Sequence, residues 1–219
     1  MKVISFSLYG SDPMYQLGAI RNLELRDEFY PGWACRFYIG DSIGEDVREK
    51  LLAHRDVQLV PMAGEPEDWF STSWRFRALA HDHIEAHLFR DCDSRPDARE
   101  QSAVFEWLQS GKDFHIMRDH PEHGAKMLSG MWGCTRRGAR QIWELLPAEH
   151  GADYYQVDQH WLRDRVYPIA RKSLMVHDEF FDFEPDRRPF PIPRRPGRFV
   201  GQGFTGSDEL RIPHDATRV

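Results

Sequence analysis

Apolar positions along the chain come in short runs, and the runs alternate between two periods. Val3 to Tyr9 is β-rich and predicts a first strand. Asp12-Pro13 follows as an N-cap and first helical residue, and Met14, Leu17 and Ile20 repeat at helical spacing. Trp33 to Ile39 predicts a second strand, stopped by Gly40-Asp41. Val47, Leu51 and Leu52 mark a second helix, and Val57 to Met62 a third strand before Ala63-Gly64-Glu65-Pro66. A helix over Ser73–Leu79 leads to a strand over Ile84–Phe89. Asp97-Ala98-Arg99-Glu100 fits a capping box for a helix carrying Val104, Trp107 and Leu108. Phe114 to Met117 is a further strand, and Leu128 to Cys134, with Gly130 and Gly133, a strand or tight turn. Ile142, Trp143, Leu145 and Leu146 predict another helix, and one more starts within Tyr154–Leu162. Leu174 to Val176 is a short last strand.

Strand and helix alternating over short connections predict an α/β domain with a parallel sheet covered by helices. Such sheets bind ligands at the carboxyl ends of their strands. That edge would gather the loops after Tyr9, Ile39 and Phe89. Composition adds limits. The 219 residues suffice for one sizeable core, and 41% hydrophobic with 29% charged residues fits an ordinary globular chain. With 29 basic and 35 acidic residues, the charge of −6 gives no argument for nucleic acid. No apolar run approaches a membrane span, and the N-terminus reads as a strand, not a signal peptide. Three scattered cysteines, Cys35, Cys92 and Cys134, argue against a disulfide scaffold and suit a reducing cytoplasm. From Glu184 to Arg198 the composition shifts to proline and arginine, which predicts an arm, 184–219, packed on or closing over the domain 1–183.

Arg90-Asp91-Cys92-Asp93-Ser94 carries the chemistry. If the chain stays extended beyond Phe89, Asp91 and Asp93 face one side and Cys92 the other. Two carboxylates side by side repel unless a cation lies between them. A divalent ion carrying a phosphate ligand suits that arrangement.

This segment, with Arg95 and Arg99-Glu100, resembles the DXD region of the GT-A fold nucleotide-sugar glycosyltransferases, a group that includes small bacterial and viral glycosyltransferase-like proteins. The resemblance takes in Trp74-Arg75-Phe76, His115 through Pro121, Gly130-Met131-Trp132-Gly133, Asp158-Gln159 and Val200-Gly201-Gln202. It implies a GT-A-like, Rossmann-related, mostly parallel central sheet flanked by helices in a single domain. It also implies a metal-dependent transfer of sugar from a nucleotide-sugar donor to an acceptor hydroxyl. Asp91 and Asp93 would hold Mn²⁺ or Mg²⁺, with His177 completing the shell and favouring Mn²⁺. Ser7, Tyr9, Gly10 and Asp41 would bind the nucleoside, and Gly130 and Trp132 would flank the transferred sugar. Asp158 would face that sugar, which implies retention. The donor would be a UDP-sugar, or else a GDP-sugar, and the acceptor a glycan or small molecule.

From the chemistry alone, an arginine can share the diphosphate's charge, and Arg75, Arg77, Arg90 and Arg118 are eligible. Asp119, His120 and Asp158 are eligible to deprotonate an acceptor. Two rival readings stand beside the transferase. One is a metal-dependent phosphohydrolase, opposed by the late position of the Asp pair. The other is a non-catalytic nucleotide-binding protein that keeps the fold.

Overall fold

The computed structural model of the protein describes residues 1–146 and 153–211, so positions 212–219 of the expected arm lie outside it. It is a single α/β domain around one seven-stranded sheet. The first half runs β1 (Lys2–Leu8), α1 (Pro13–Phe29), β2 (Trp33–Ile39), α2 (Glu45–Leu52) and β3 (Val57–Pro61). A 3-10 segment, Trp69–Ala80, then leads to β4 (Ala86–Phe89). After it come α3 (Ala98–Gln109), β5 (Phe114–Arg118), β6 (Trp132–Thr135), α4 (Arg136–Ile142), α5 (Val157–Trp161), α6 (Tyr167–Ala170) and β7 (Leu174–Asp178). The strand order is β3-β2-β1-β4-β6-β5-β7. β6 is antiparallel to both its neighbours, and the other strand pairs are parallel.

The alternating runs place the strands because they bury apolar side chains on both faces, except edge strand β3, which is half-buried. One face carries Phe76, Phe89, Trp132 and Val166 with the Trp69–Ala80 segment and α4 to α6. The other carries Leu23, Val47, Leu51 and Trp107 from α1, α2 and α3. Asp12 caps α1, its carboxylate accepting from Met14 N–H at 2.8 Å.

Several expectations are corrected. The buried face of α1 is Gly18, Ala19, Asn22, Leu23 and Arg26, while Met14, Leu17 and Ile20 are half-buried. Helix α1 packs on backbone that needs hydrogen bonds, so polar and small residues take the inner positions. Leu52 is exposed. The chain after β4 is a turn, closed by the Ser94 hydroxyl donating to Asp91 O at 3.1 Å, and not an extended continuation. The Asp97 carboxylate caps α3, but Glu100 does not reach back to it. Glu100 accepts from Arg90 Nε at 2.8 Å and the Tyr30 hydroxyl at 2.7 Å, all three buried. Helix α4 begins at Arg136, capped by Thr135, and ends where the apolar pattern put its start; Trp143–Leu145 is a 3-10 turn.

Among the described residues no helix is long and apolar enough to cross a membrane. Cys35, Cys92 and Cys134 are buried free thiols.

Candidate functional site

Strand order reverses between β1 and β4, and a cleft of about 610 Å³ opens at their carboxyl ends. Its lining combines Ser7 of β1, Tyr9 and Gly10 after it, Arg75 from the 3-10 segment, and Asp91 and Asp93 after β4. Six expected site residues therefore meet in one cavity. Cys92 turns into the apolar cluster on the α1 side, which lets its two neighbours face solvent.

The turn that carries the Asp pair is held from both sides. Asn22 of α1 donates to Cys92 O at 3.2 Å and Ser94 O at 2.9 Å. Gly18, one helical turn earlier, lies so close that a Cβ there would overlap the Cys92 carbonyl. On the other side a Cβ on Gly130 would overlap the Asp91 carboxylate, so only glycine fits beside the acid. Beyond the turn, Phe204 N–H donates to Asp93 O at 2.8 Å, and Arg211 lies 3.5 Å from Asp93 Oδ2.

The electrostatics of the turn are set by its two acids and the arginine beside them. Burial, and then the charge of Asp91, push the Asp93 carboxyl up to about 6. Arg75 pairs with Asp91, and at 3.0 Å with Asp158. Arg75 and Asp158 are both buried, and Arg75 Nε has no hydrogen-bond partner among the described residues. The backbone of Arg75 is fixed by Ser5, whose hydroxyl donates to its carbonyl at 2.8 Å, and by Ser7, whose hydroxyl accepts its N–H at 3.0 Å. Burial, and then Asp93 and Asp91, raise the Tyr15 phenol to about 12, so it stays a neutral donor on the cleft wall. Two carboxylates in a partly desolvated turn, with an arginine beside them, fit a divalent ion bearing a diphosphate.

Glu67 was not anticipated. It ties the loop after β1 to the loop after β2, accepting from Gly10 N–H at 3.1 Å, from Ser42 N–H at 2.9 Å and from the Ser42 hydroxyl. Burial opposes its charge, but these donors outweigh burial and hold the carboxyl below its ordinary range. Gly10, at φ +79°, needs glycine to present its N–H there. The only sequence signal for Glu67 was its place after the third strand, on the ligand edge.

Other expected site residues lie elsewhere. Asp41 turns away to accept from Gly64 N–H at 2.8 Å. Arg77 pairs with Glu65 at 2.7 Å, outside the cleft lining. Arg90 is engaged by Glu100, and Arg118 is buried between Asp178 and Glu184. Trp132 is fully buried and stacks on Phe89 with ring centroids 4.2 Å apart, a core residue and not a sugar platform. Asp119 is fully buried, held by Arg99 at 2.9 Å, by Arg194 at 2.6 Å and by Val200 N–H at 2.9 Å. Its neighbour His120 is buried against Phe199. Neither reaches the cleft, because the arm covers them. His177 lies on β7, three strand spacings or about 14 Å from β4. Its Nδ1 is 2.8 Å from His115 Nε2 and its Nε2 is 3.3 Å from Glu106, so it does not join the Asp pair. Among the described residues no three His, Cys, Asp or Glu side chains gather as a metal cage.

No family model and no curated protein matches the chain. Solved structures do. Glucosyl-3-phosphoglycerate synthase from Mycobacterium tuberculosis, in complex with Mn²⁺, UDP and glucosyl-3-phosphoglycerate, is 16% identical, with 80% of this chain and 69% of that one covered and a TM-score of 0.51. The same synthase with Mg²⁺ and UDP gives 15% identity, coverage of 80% and 68%, and a TM-score of 0.50. A glycosyltransferase involved in glycosylation of the major capsid of PBCV-1 gives 16% identity, coverage of 81% and 82%, and a TM-score of 0.49. The fold is GT-A-like, as the ordered motifs implied.

Proposed function

We propose that the chain is a metal-dependent glycosyltransferase that takes a sugar from a nucleoside diphosphate sugar to an acceptor hydroxyl. The observation that carries this reading is the Asp91–Asp93 pair, facing one cleft at the point where strand order reverses. Asp91 and Asp93 would hold the divalent ion, which would act as a Lewis acid on the leaving diphosphate. With His177 on another strand pair, the protein donors to the metal would be the carboxylate oxygens of Asp91 and Asp93, and such a set would suit Mg²⁺ as well as Mn²⁺. A UDP-sugar is the first donor to test and a GDP-sugar the second.

Transfer forms a bond between the acceptor hydroxyl oxygen and the anomeric carbon. The bond from that carbon to the diphosphate oxygen breaks, its electron pair leaves on the nucleoside diphosphate, and the hydroxyl proton passes to a phosphate oxygen. Arg75 would bear on the charge developing there, its fork kept in place by Asp158. Retention remains the proposed stereochemistry on the Asp158–Gln159 pair. Three free thiols suit a cytoplasmic setting.

The test is isothermal titration of UDP, GDP and CMP, with and without Mn²⁺, on the wild type and Asp93→Ala. Metal-dependent binding of one nucleotide, weakened at least about tenfold by the substitution, is expected (about 1.4 kcal/mol). Failure of every nucleotide to bind under either condition would sink the reading.

A further inference from the structure

The cleft carries more negative charge than a metal and an arginine can balance. Among the described residues its lining holds Asp12, Glu67, Asp68, Asp91, Asp93 and Asp153, with Arg75 as the cationic lining residue. Arg75 is committed to Asp91 and Asp158, and the nearby Arg211 to Asp93. A divalent ion carrying a nucleoside diphosphate adds no net positive charge. The remaining carboxylates then face whatever enters from the open side. An anionic acceptor would be repelled there, and a neutral or cationic one would not.

The open side also has a specific surface. Trp69 lines the cleft yet is 48% exposed, and Tyr155 is 66% exposed. Their rings meet edge to face, 5.1 Å apart at 77°. The two come from different segments, which are pinned together by Trp69 N–H donating to Asp153 Oδ1 at 2.9 Å. Tyr154, also exposed, is held by its hydroxyl 3.2 Å from His160 Nδ1. Large rings left in water at a cleft mouth, with carboxylates alongside, match the two demands of a sugar ring. Its C–H face packs on an aromatic face, and its hydroxyls donate to carboxylate oxygens.

From this rim we infer that the acceptor is a neutral or amino-substituted sugar that packs on Trp69 and Tyr155 and donates hydroxyl hydrogen bonds to Asp153. The inference rests on the transferase reading above for the word acceptor, but the binding surface can be tested without it. It separates this chain from the synthase of similar fold, whose complex holds glucosyl-3-phosphoglycerate, an acid.

The experiment is saturation-transfer NMR with millimolar methyl β-glucopyranoside, glucosamine, glucuronate and 3-phosphoglycerate, each with and without UDP and Mg²⁺. Wild type, Trp69→Ala, Tyr155→Ala and Asp153→Asn are compared, with far-UV circular dichroism as the check on folding. The neutral sugar or glucosamine should give saturation transfer on the wild type, and its apparent Kd should rise about tenfold in Trp69→Ala and in Tyr155→Ala. Binding of glucuronate or 3-phosphoglycerate as tightly as the neutral sugar overturns the inference. So does neutral-sugar binding that folded Trp69→Ala and Tyr155→Ala leave intact. Nucleotide binding with no sugar binding overturns it while the donor reading stands. Sugar binding with no nucleotide binding sustains the surface and removes the transferase.

Discussion

At the scale of single residues, Arg75 decides most. It is a buried cation shared between a cleft carboxylate, Asp91, and a buried one, Asp158. Removing one partner of such a network strands charge in a dry place, at a cost of about 3–5 kcal/mol. Arg75→Ala should therefore lower the unfolding free energy read from urea denaturation by an amount in that range, and the urea midpoint with it. Arg75→Lys keeps the charge but loses the fork, and should fold while weakening metal-dependent nucleotide binding about tenfold. An unchanged urea midpoint in Arg75→Ala would refute the structural half of this account, and unchanged titration of Arg75→Lys the functional half. Four arginines were eligible from the sequence, and nothing in their local context separates them. Each is one cation in a chain with many acids. Only the three-dimensional partners tell them apart: Glu65 takes Arg77, Glu100 takes Arg90, and Asp178 with Glu184 takes Arg118. The Asp pair was legible because two close carboxylates after a strand are costly without a cation. Glu67 was not, because its role depends on loops that meet only in the fold.

At the scale of elements, α1 is the support on which the Asp turn rests. Asn22 satisfies two carbonyls of that turn, Cys92 O and Ser94 O. Replacing it with Leu would remove its two hydrogen bonds, about 0.5–1.5 kcal/mol each, and leave Arg95 Nη1 as the remaining donor to both carbonyls. Asn22→Leu should lower the melting temperature, and it should also weaken metal-dependent nucleotide binding, since the turn that presents Asp91 and Asp93 loses its anchor. Gly18→Ala should do the same by displacing the Cys92 carbonyl. Calorimetry and titration on both variants check this, and nucleotide binding that survives intact in both would show that the turn holds its own shape. The sequence marked α1 by its Asp-Pro start, but it misplaced the buried face. Hydrophobic periodicity finds a face that packs on side chains. Here only part of the face, Ala19 and Leu23, packs on the apolar cluster, and the rest packs on backbone, which is met by Gly18, Asn22 and Arg26. The central strands were easier to read, because β-rich runs such as β1 and β2, buried on both sides, leave little ambiguity.

At the scale of the whole molecule, the unused histidines set an acid limit. His87, His115 and His177 are fully buried on β4, β5 and β7. Burial is the leading cause in each case, and it drives His87 to about 3 and holds His115 and His177 below the ordinary imidazole value. For His177, Glu106 offsets part of the effect. A histidine kept neutral when folded takes up its proton on unfolding. Its stabilisation is complete above about pH 6.5 and is lost as pH falls below that value, by up to about 1.4 kcal/mol per pH unit for each group. For His87 the loss continues to about pH 3. Asp93 acts in the opposite direction. Its folded carboxyl, raised to about 6, binds a proton before the unfolded one does, so acidification from pH 6 relieves the repulsion with Asp91. His81 and His123 are also held below the ordinary imidazole value, burial first, and Asp97 joins Asp93 as a raised carboxyl, so the depressed histidines outnumber the raised carboxyls and give the net sign. The urea midpoint should fall between pH 7.5 and pH 5.5, and His87→Gln should flatten that fall by about one proton's share. A midpoint that stays level or rises on acidification would mean that the Asp pair, and not the buried imidazoles, governs the pH response. In that case Asp93→Asn in the metal-free protein would abolish the rise, which returns the question to the cleft and its paired carboxylates.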